Sequence, residues 1–229
     1  MITAVIPTLN EKNNIYKISR KLHKIKIISE VIFVDDNSQD KTYEEIKKIK
    51  SKKFRGFLRK SKKKDLSKSV VLGVSKARNK IILVMDSDLQ HDANYINEMW
   101  RKFIQNDYDI IVASRFLEKN FFGNVGFLRS LISISAISLI NLLFGKKTSD
   151  PLSGFFICKK SLINKYKSRF FLKGYKILFD ILYNGKKNIL TKDFGIDFKK
   201  RKFDQSKFNF HIIRLFLDQM IYTKFLDKK

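Results

Sequence analysis

The chain has 229 residues, with 48 Lys+Arg against 22 Asp+Glu (a formal net charge of +26), and it is 44% hydrophobic with 21 Phe. That apolar content excludes a disordered protein. The scarcity of Gly (9) and Pro (2) excludes a collagenous or low-complexity one, and a single cysteine, Cys158, excludes a disulfide framework or a cysteine-built metal site. The length predicts one domain, or one with an appendage. The opening MITAVIPTLNEK has neither the basic start nor the apolar run of a secretory signal, so the expected setting is reducing and cytoplasmic.

Thr3–Ile6 reads as a short buried strand ending at Pro7. Asn13–Ile28 carries Ile15, Ile18, Leu22 and Ile25 at helical spacing, and Glu30–Val34 (EVIFV) is a second strand that stops at Asp35-Asp36. Asp40 and Thr42 open a helix over Tyr43–Ile49, with Glu44 and Glu45 in the first turn, where carboxylates meet the positive end of the helix dipole. Phe54–Leu58 is a strand and Ser67–Ala77 a helix. Lys80–Met85 (KIILVM) is a buried strand running into Asp86, Asn94–Gln105 is a helix, and Asp109–Ala113 is a strand that ends at Ser114-Arg115. Strands alternating with helices predict βαβ units, hence an α/β fold with a mostly parallel sheet flanked by helices. Such sheets bind ligands beyond the carboxyl ends of their strands. Three polar motifs fall there: PTLNE, DDNSQD and DSDLQHD.

The second half is different. Phe127–Phe144 is apolar on nearly all sides and falls short of the ~20 uninterrupted apolar residues that span a bilayer, so a helix that is buried or lies in a membrane interface is expected. Phe208–Leu226 is a second Phe-rich amphipathic helix with Lys224, Lys228 and Lys229 at its end. We expect residues 1–207 to form one domain containing the 127–144 helix, and residues 208–229 to form an amphipathic helix with a basic tail. Between Lys41 and Lys80 stand 16 Lys/Arg and 3 Asp/Glu. Such a run reads as a solvated face, a nucleic-acid patch or a surface for anionic lipid. With only Tyr43, Phe54 and Phe57 as aromatics and no recognisable RNA or DNA module, no nucleic-acid partner is expected.

Asp86 and Asp88, spaced i, i+2 after a buried strand, suit one hard cation such as Mg²⁺ or Mn²⁺, with the alternation of a strand sending Ser87 the other way. Caps and turns are the alternative for these acids and for Asp35-Asp36. Glu11, Asp35, Asp36, Asp86 and Asp88 would place five acids on one rim of a strongly basic protein. Both prolines, Pro7 and Pro151, lie in polar motifs, where each would fix a turn, and Gly154 would permit a close approach or a plain surface turn. Arg115, Arg129, Lys176, Arg201 and Lys207 sit beside apolar or turn segments. An arginine fork there suits phosphate oxygens, and a plain surface charge is the other reading. The histidines (His23, His91 and His211) are scattered, and no P-loop, G-x-S-x-G or H-E-x-x-H is present.

Together PTLNE (7–11), VDDNSQDKT (34–42), MDSDLQH (85–91), SRF (114–116), DPLSGFF (150–156), GYKIL (174–178) and RKFDQSK (201–207) resemble the family-2 glycosyltransferases of GT-A fold, and within them the polyprenol-phosphate mannose synthases. The resemblance implies a GT-A domain in which Pro7, Leu9, Glu11, Val34 and Asp36 hold the nucleotide. Asp86, Ser87 and Asp88 would hold the sugar and diphosphate, with Asp88 and Gln90 on Mg²⁺ or Mn²⁺. Arg115, Arg129 and Ser133 would take the lipid phosphate, while Lys176, Arg201 and Lys207 close over the donor; the reacting centre would be Asp88, Arg115 and Arg129. It further implies inverting transfer of mannose from GDP-mannose to a polyprenyl phosphate by a peripheral protein on the cytoplasmic membrane face. A UDP-glucose or UDP-N-acetylhexosamine donor, or a soluble glycan acceptor, is the alternative. Departures from the family pattern fall at Leu9 (usually aromatic), at Lys41 and Asp65 (usually Gly), at Ser87 (often Ala), and at Asp204-Gln205 (usually Gly-Glu).

Overall fold

The computed structural model describes residues 1–117, 127–197 and 210–226. The sheet strands are β1 (Ile2–Thr8), β2 (Ile28–Asp35), β3 (Phe54–Leu58), β4 (Ile81–Val84), β5 (Ile110–Ser114), β6 (Phe156–Lys159) and β7 (Thr191–Gly195). Their order is β3-β2-β1-β4-β6-β5-β7, and β6 alone runs antiparallel to its neighbours. The helices are α1 (Lys12–His23), α2 (Thr42–Lys47), α3 (Leu66–Lys76), α4 (Ile96–Gln105), α5 (Phe127–Phe144), α6 (Lys160–Tyr166), α7 (Ile177–Tyr183) and α8 (Phe210–Leu226).

The pleat sorts the strand residues between two cores. Ile2, Ala4 and Ile6 of β1 face the layer of α1, α2 and α4, with Phe33, Ile111 and Ile157 beside them. Val5 faces the α3, α6 and α7 side with Ile32, Val34, Ile110 and Phe156. Both faces are covered, which is why these strands read as continuous apolar runs rather than alternating ones. A β-carbon on Gly73 of α3 would stand 2.5 Å from Val5 Cγ1, so the absence of a side chain lets α3 lie close on β1.

Chain order reverses on either side of β1, which has β2 on one flank and β4 on the other. Ligand crevices in α/β sheets open at such a point. Pro7 lies inside β1, opposite Val34, rather than ending the strand. Asp36 N–H donates to Thr8 O and Met85 N–H to Val5 O, so odd-numbered residues of β1 face β4. The donor that proline lacks therefore falls just where β4 has finished, and the segment after Val84 is left to diverge.

Several boundaries differ from expectation. The first helix stops at His23 instead of continuing to Ile28: Ile25 keeps helical spacing but is buried in the turn, and Ile28 begins β2. A 3-10 turn, Ala93–Tyr95, precedes α4. β6, β7, α6 and α7 fall outside the elements that the sequence pattern predicts. Among the described residues, no helix is long and apolar enough to cross a membrane.

Candidate active site

The carboxyl ends of β1, β4 and β5, the loop before β6, the turn before α7, and the two apolar helices α5 and α8 surround one cavity of 390 Å³. On its wall stand Pro7, Leu9 and Glu11 after β1, and Asp86, Ser87, Asp88, Gln90 and His91 after β4. Arg115, Ser133, Ser135, Tyr175 and Lys176 complete the polar lining. Ser87 thus shares the wall with both aspartates, against the alternation expected of a strand, because β4 ends at Val84 and the DSDLQ segment is a turn. Leu89 in that turn has φ +63° with its side chain buried in the core, an arrangement costly for a branched residue and held by its packing. It brings Gln90 N–H to Asp88 Oδ1 at 3.1 Å.

Asp86 lies 3.5 Å from His91 Nε2. Burial would raise its pKa, but the hydrogen bond and charge of His91, then the charges of Lys176 and Arg115, hold the carboxyl below its ordinary value. His91 is itself buried against Phe155, 5.1 Å between ring centres. Gly154 closes the other side: a β-carbon there would fall 2.1 Å from Asp86 Oδ2.

Arg115 is gripped by Asp150, Nε to Oδ2 at 2.7 Å and Nη2 to Oδ1 at 2.9 Å. Burial disfavours its charge, yet Asp150, and after it Asp86 and Asp88, raise its pKa, so the guanidinium stays charged. The loop that carries Asp150 is pinned to β5 by Ser114 Oγ with Ser149 Oγ (2.6 Å) and by Ser153 Oγ donating to Ala113 O (2.8 Å). Lys176 Nζ donates to Leu152 O at 3.3 Å. Cations and carboxylates thereby face one space, an arrangement that fits an anionic ligand together with a hard cation.

Two expected nucleotide residues are placed elsewhere. Val34 is wholly buried in the α3-side core. Asp36 is also fully buried, its carboxylate paired with the Arg59 guanidinium and accepting from Asp65 N–H at 2.7 Å. Neither lines the cavity. Arg201 and Lys207 lie outside the described residues, and Arg129 is placed by its backbone alone, in the first turn of α5. Lys41, where the family pattern has glycine, does adopt a left-handed φ of +68°. Asp150 was missed as a site residue. Its signal was Pro151 and the DPLSGFF motif, which could not reveal a pairing with Arg115.

The donor set fits a divalent metal. Asp86, Asp88 and Gln90 each offer an oxygen ligand at the polar end, the preference of Mg²⁺ and Mn²⁺, which commonly complete their shells with water and substrate phosphates. Among the described residues, no three His, Cys, Asp or Glu side chains converge into a cage.

The profile described as Glycosyl transferase family 2 matches residues 3–167. Over 189 residues the chain is 33% identical to a dolichol-phosphate mannosyltransferase of Pyrococcus furiosus, covering 81% of this chain and 53% of that protein; it thus spans about half the length of this relative. It is 27% identical to the dolichol-phosphate mannosyltransferase of Saccharomyces cerevisiae, covering 79% and 69%. Among solved structures, glucosyl-3-phosphoglycerate synthase from Mycobacterium tuberculosis in complex with Mn²⁺ and UDP-glucose superposes with a TM-score of 0.69 at 17% identity, over 98% of this chain and 78% of the other. That likeness is one of fold.

Proposed function

Because the chain belongs to glycosyl transferase family 2, we propose that it transfers a hexose, with inversion, from a nucleotide sugar to a polyprenyl monophosphate at a membrane surface. The donor is taken to be GDP-mannose, in line with the relatives named for mannosyl transfer. The observation that carries this reading is the two-sided cavity. Its polar end holds Asp86, Asp88, Arg115 and Lys176, while its other wall is built from Ile132 and Leu139 of α5 and Phe216 and Leu217 of α8. A lipid phosphate has the same division, a dianionic head on an apolar tail.

The head needs no general base. A phosphate monoester has a second pKa near ~6 and is largely a dianion at neutral pH. One of its oxygens attacks the anomeric carbon as the bond to the leaving diphosphate breaks, the electron pair departing with the nucleoside diphosphate. The protein's tasks are to orient two anions and offset their charge. Arg115, oriented by Asp150, serves the acceptor phosphate, and Ser133 lies on the α5 wall of the same cavity. Lys176 faces the donor diphosphate. Asp88 and Gln90 would hold Mg²⁺ or Mn²⁺, which supplies charge stabilisation of the leaving group.

The membrane part rests on exposed apolar residues beside the cavity: Leu131, Leu139 and Leu142 on α5, and Leu217, Ile221 and Phe225 on α8. These stripes would enter the interface, with surface lysines adding about 1 kcal/mol each toward anionic lipid. Flotation with anionic vesicles, weakened by high salt, is the expected behaviour; equal binding to neutral vesicles would contradict the electrostatic part.

The experiment that tests the function is a donor panel. Purified protein, polyprenyl phosphate and Mg²⁺ are incubated with labelled GDP-mannose, UDP-glucose and UDP-N-acetylglucosamine in parallel. Label should pass into organic-extractable lipid from GDP-mannose. Transfer from a UDP sugar instead would replace the donor, and transfer to soluble acceptors alone would overturn the lipid reading.

A further inference from the structure

The C-terminal helix meets the rest of the chain along a small apolar seam and one buried amide. Ile140 of α5, Phe179 of α7 and Met220 of α8 pack together, with Phe144 and Phe216 against them. The rings of Phe179 and Phe216 meet edge-on, 5.8 Å between centres. Next to Met220, Gln219 is 1% exposed. Its Nε2 donates to the carbonyl oxygen of Lys176 at 3.2 Å, and the same side chain lies near the Asp180 carboxyl, where it tempers the rise in pKa that burial imposes. Asp180 is wholly buried and also accepts from Phe171 N–H at 3.1 Å, Leu172 N–H at 3.2 Å and Asn184 Nδ2 at 2.8 Å. One carboxylate thus ties the segment before α7 to α7 itself, with the α8 amide beside it.

Lys176 stands just before α7 with φ −111° and ψ 59°, outside the helical region, so the helix does not dictate where its peptide lies. Its carbonyl is instead held by Gln219. The side chain reaches the cavity on a flexible four-carbon stem, so the placement of its backbone decides how often Nζ points at an anion there. The Gln219 amide thus acts on the short stretch that carries Lys176.

We propose that Gln219 and Asp180 form a clasp through which docking of α8 positions Lys176 for the donor diphosphate. Both are positioning residues, and the inference rests on reading the cavity as the donor site. The C-terminal helix then serves the water-soluble donor as well as the lipid, and its loss impairs donor binding even where no membrane is present.

The test uses the full chain in detergent, with Gln219→Leu, which keeps the burial and removes the amide. Binding of GDP and of UDP with Mg²⁺ is measured by calorimetry, alongside the KM for donor and for acceptor. The nucleoside diphosphate that the wild type binds should bind the variant about five- to tenfold more weakly, the scale of one lost hydrogen bond. Donor KM should follow while acceptor KM holds. If Gln219→Leu fails to fold, Gln219→Asn, which keeps an amide but draws it back from Lys176 O, should show the same loss to a smaller extent. Unchanged nucleotide affinity in a folded variant overturns the clasp, as does a parallel rise in both KM values. Absence of nucleotide binding by the wild-type protein would instead overturn the donor-site reading itself.

Discussion

Gly154 presses so closely on Asp86 that a β-carbon on the glycine would fall 2.1 Å from Oδ2 and 2.5 Å from Cγ. The obstructing atoms are the end of a side chain, so an added methyl can be accommodated by swinging the carboxylate aside. Gly154→Ala should therefore fold, at a cost of ~1 kcal/mol or less. It should lose about a hundredfold in transfer rate, the scale of a misplacement near 1 Å. Thermal unfolding and initial rates measured together check this; full activity in a folded variant would show that Asp86 need not hold its present position.

Asp150 is placed to orient Arg115 rather than to touch a ligand, since it is wholly buried and both its oxygens face the guanidinium. Asp150→Asn should raise the KM for polyprenyl phosphate about tenfold, or about 1.4 kcal/mol, with donor KM little changed. Asp150→Ala removes both fork contacts to Arg115 and should destabilise the fold more than Asp150→Asn does. An Asp150→Asn enzyme with unchanged acceptor KM would separate Arg115 from the acceptor phosphate.

How much of this could be read from the sequence depends on distance along the chain. The central strands were legible because both faces of the sheet are covered, so β1 carries Ala4–Ile6 and β2 carries Val31–Val34 as unbroken apolar runs. The acids of the site were legible because they follow such strands. β6 is hidden from sequence patterning because it is only four residues long and starts on the last residue of the DPLSGFF motif, and β7 because TKDFG is a half-exposed edge strand with little apolar pattern. The partners of Arg115 and Lys176 were not legible at all. Asp150 lies 35 residues from Arg115 and Gln219 lies 43 from Lys176, and no local spacing encodes a contact made by folding. Asp36 shows the converse: its motif was plain, but its burial against Arg59 was not.

Lys41 adopts a left-handed backbone, φ +68°, at an exposed position before α2. A side chain with a β-carbon is disfavoured there by roughly 1 kcal/mol relative to glycine. Lys41→Gly should raise the unfolding midpoint by about 2–4 °C and leave transfer unchanged. A lowered midpoint would mean that the lysine side chain makes a contact worth more than the strain.

Glu30 links β1, β2 and the turn before β4. Its carboxylate accepts from Thr3 Oγ1 at 2.8 Å, Arg78 N–H at 2.9 Å and Arg55 Nη1 at 2.7 Å. Burial would raise its pKa, but the bonds from Arg78, Arg55 and Thr3 bring it below the ordinary 4.5. A carboxyl lowered on folding contributes fully above its unfolded value and loses that contribution as pH falls through the folded one. The stability gap between wild type and Glu30→Gln should therefore be constant at neutral pH and shrink below 4.5. Denaturant titrations at several pH values check this; a gap that widens on acidification would reverse the sign.

The central claim is that the acidic turn after β4 and the cations facing it act on one lipid-linked transfer. The most direct measurement compares wild type and Asp88→Asn for passage of labelled sugar into organic-extractable lipid, with polyprenyl phosphate, with and without excess EDTA. The account predicts transfer by the wild type alone, abolished by EDTA, with the Asp88→Asn protein folded and down at least about a hundredfold. Equal transfer by the variant, or transfer indifferent to EDTA, would contradict it.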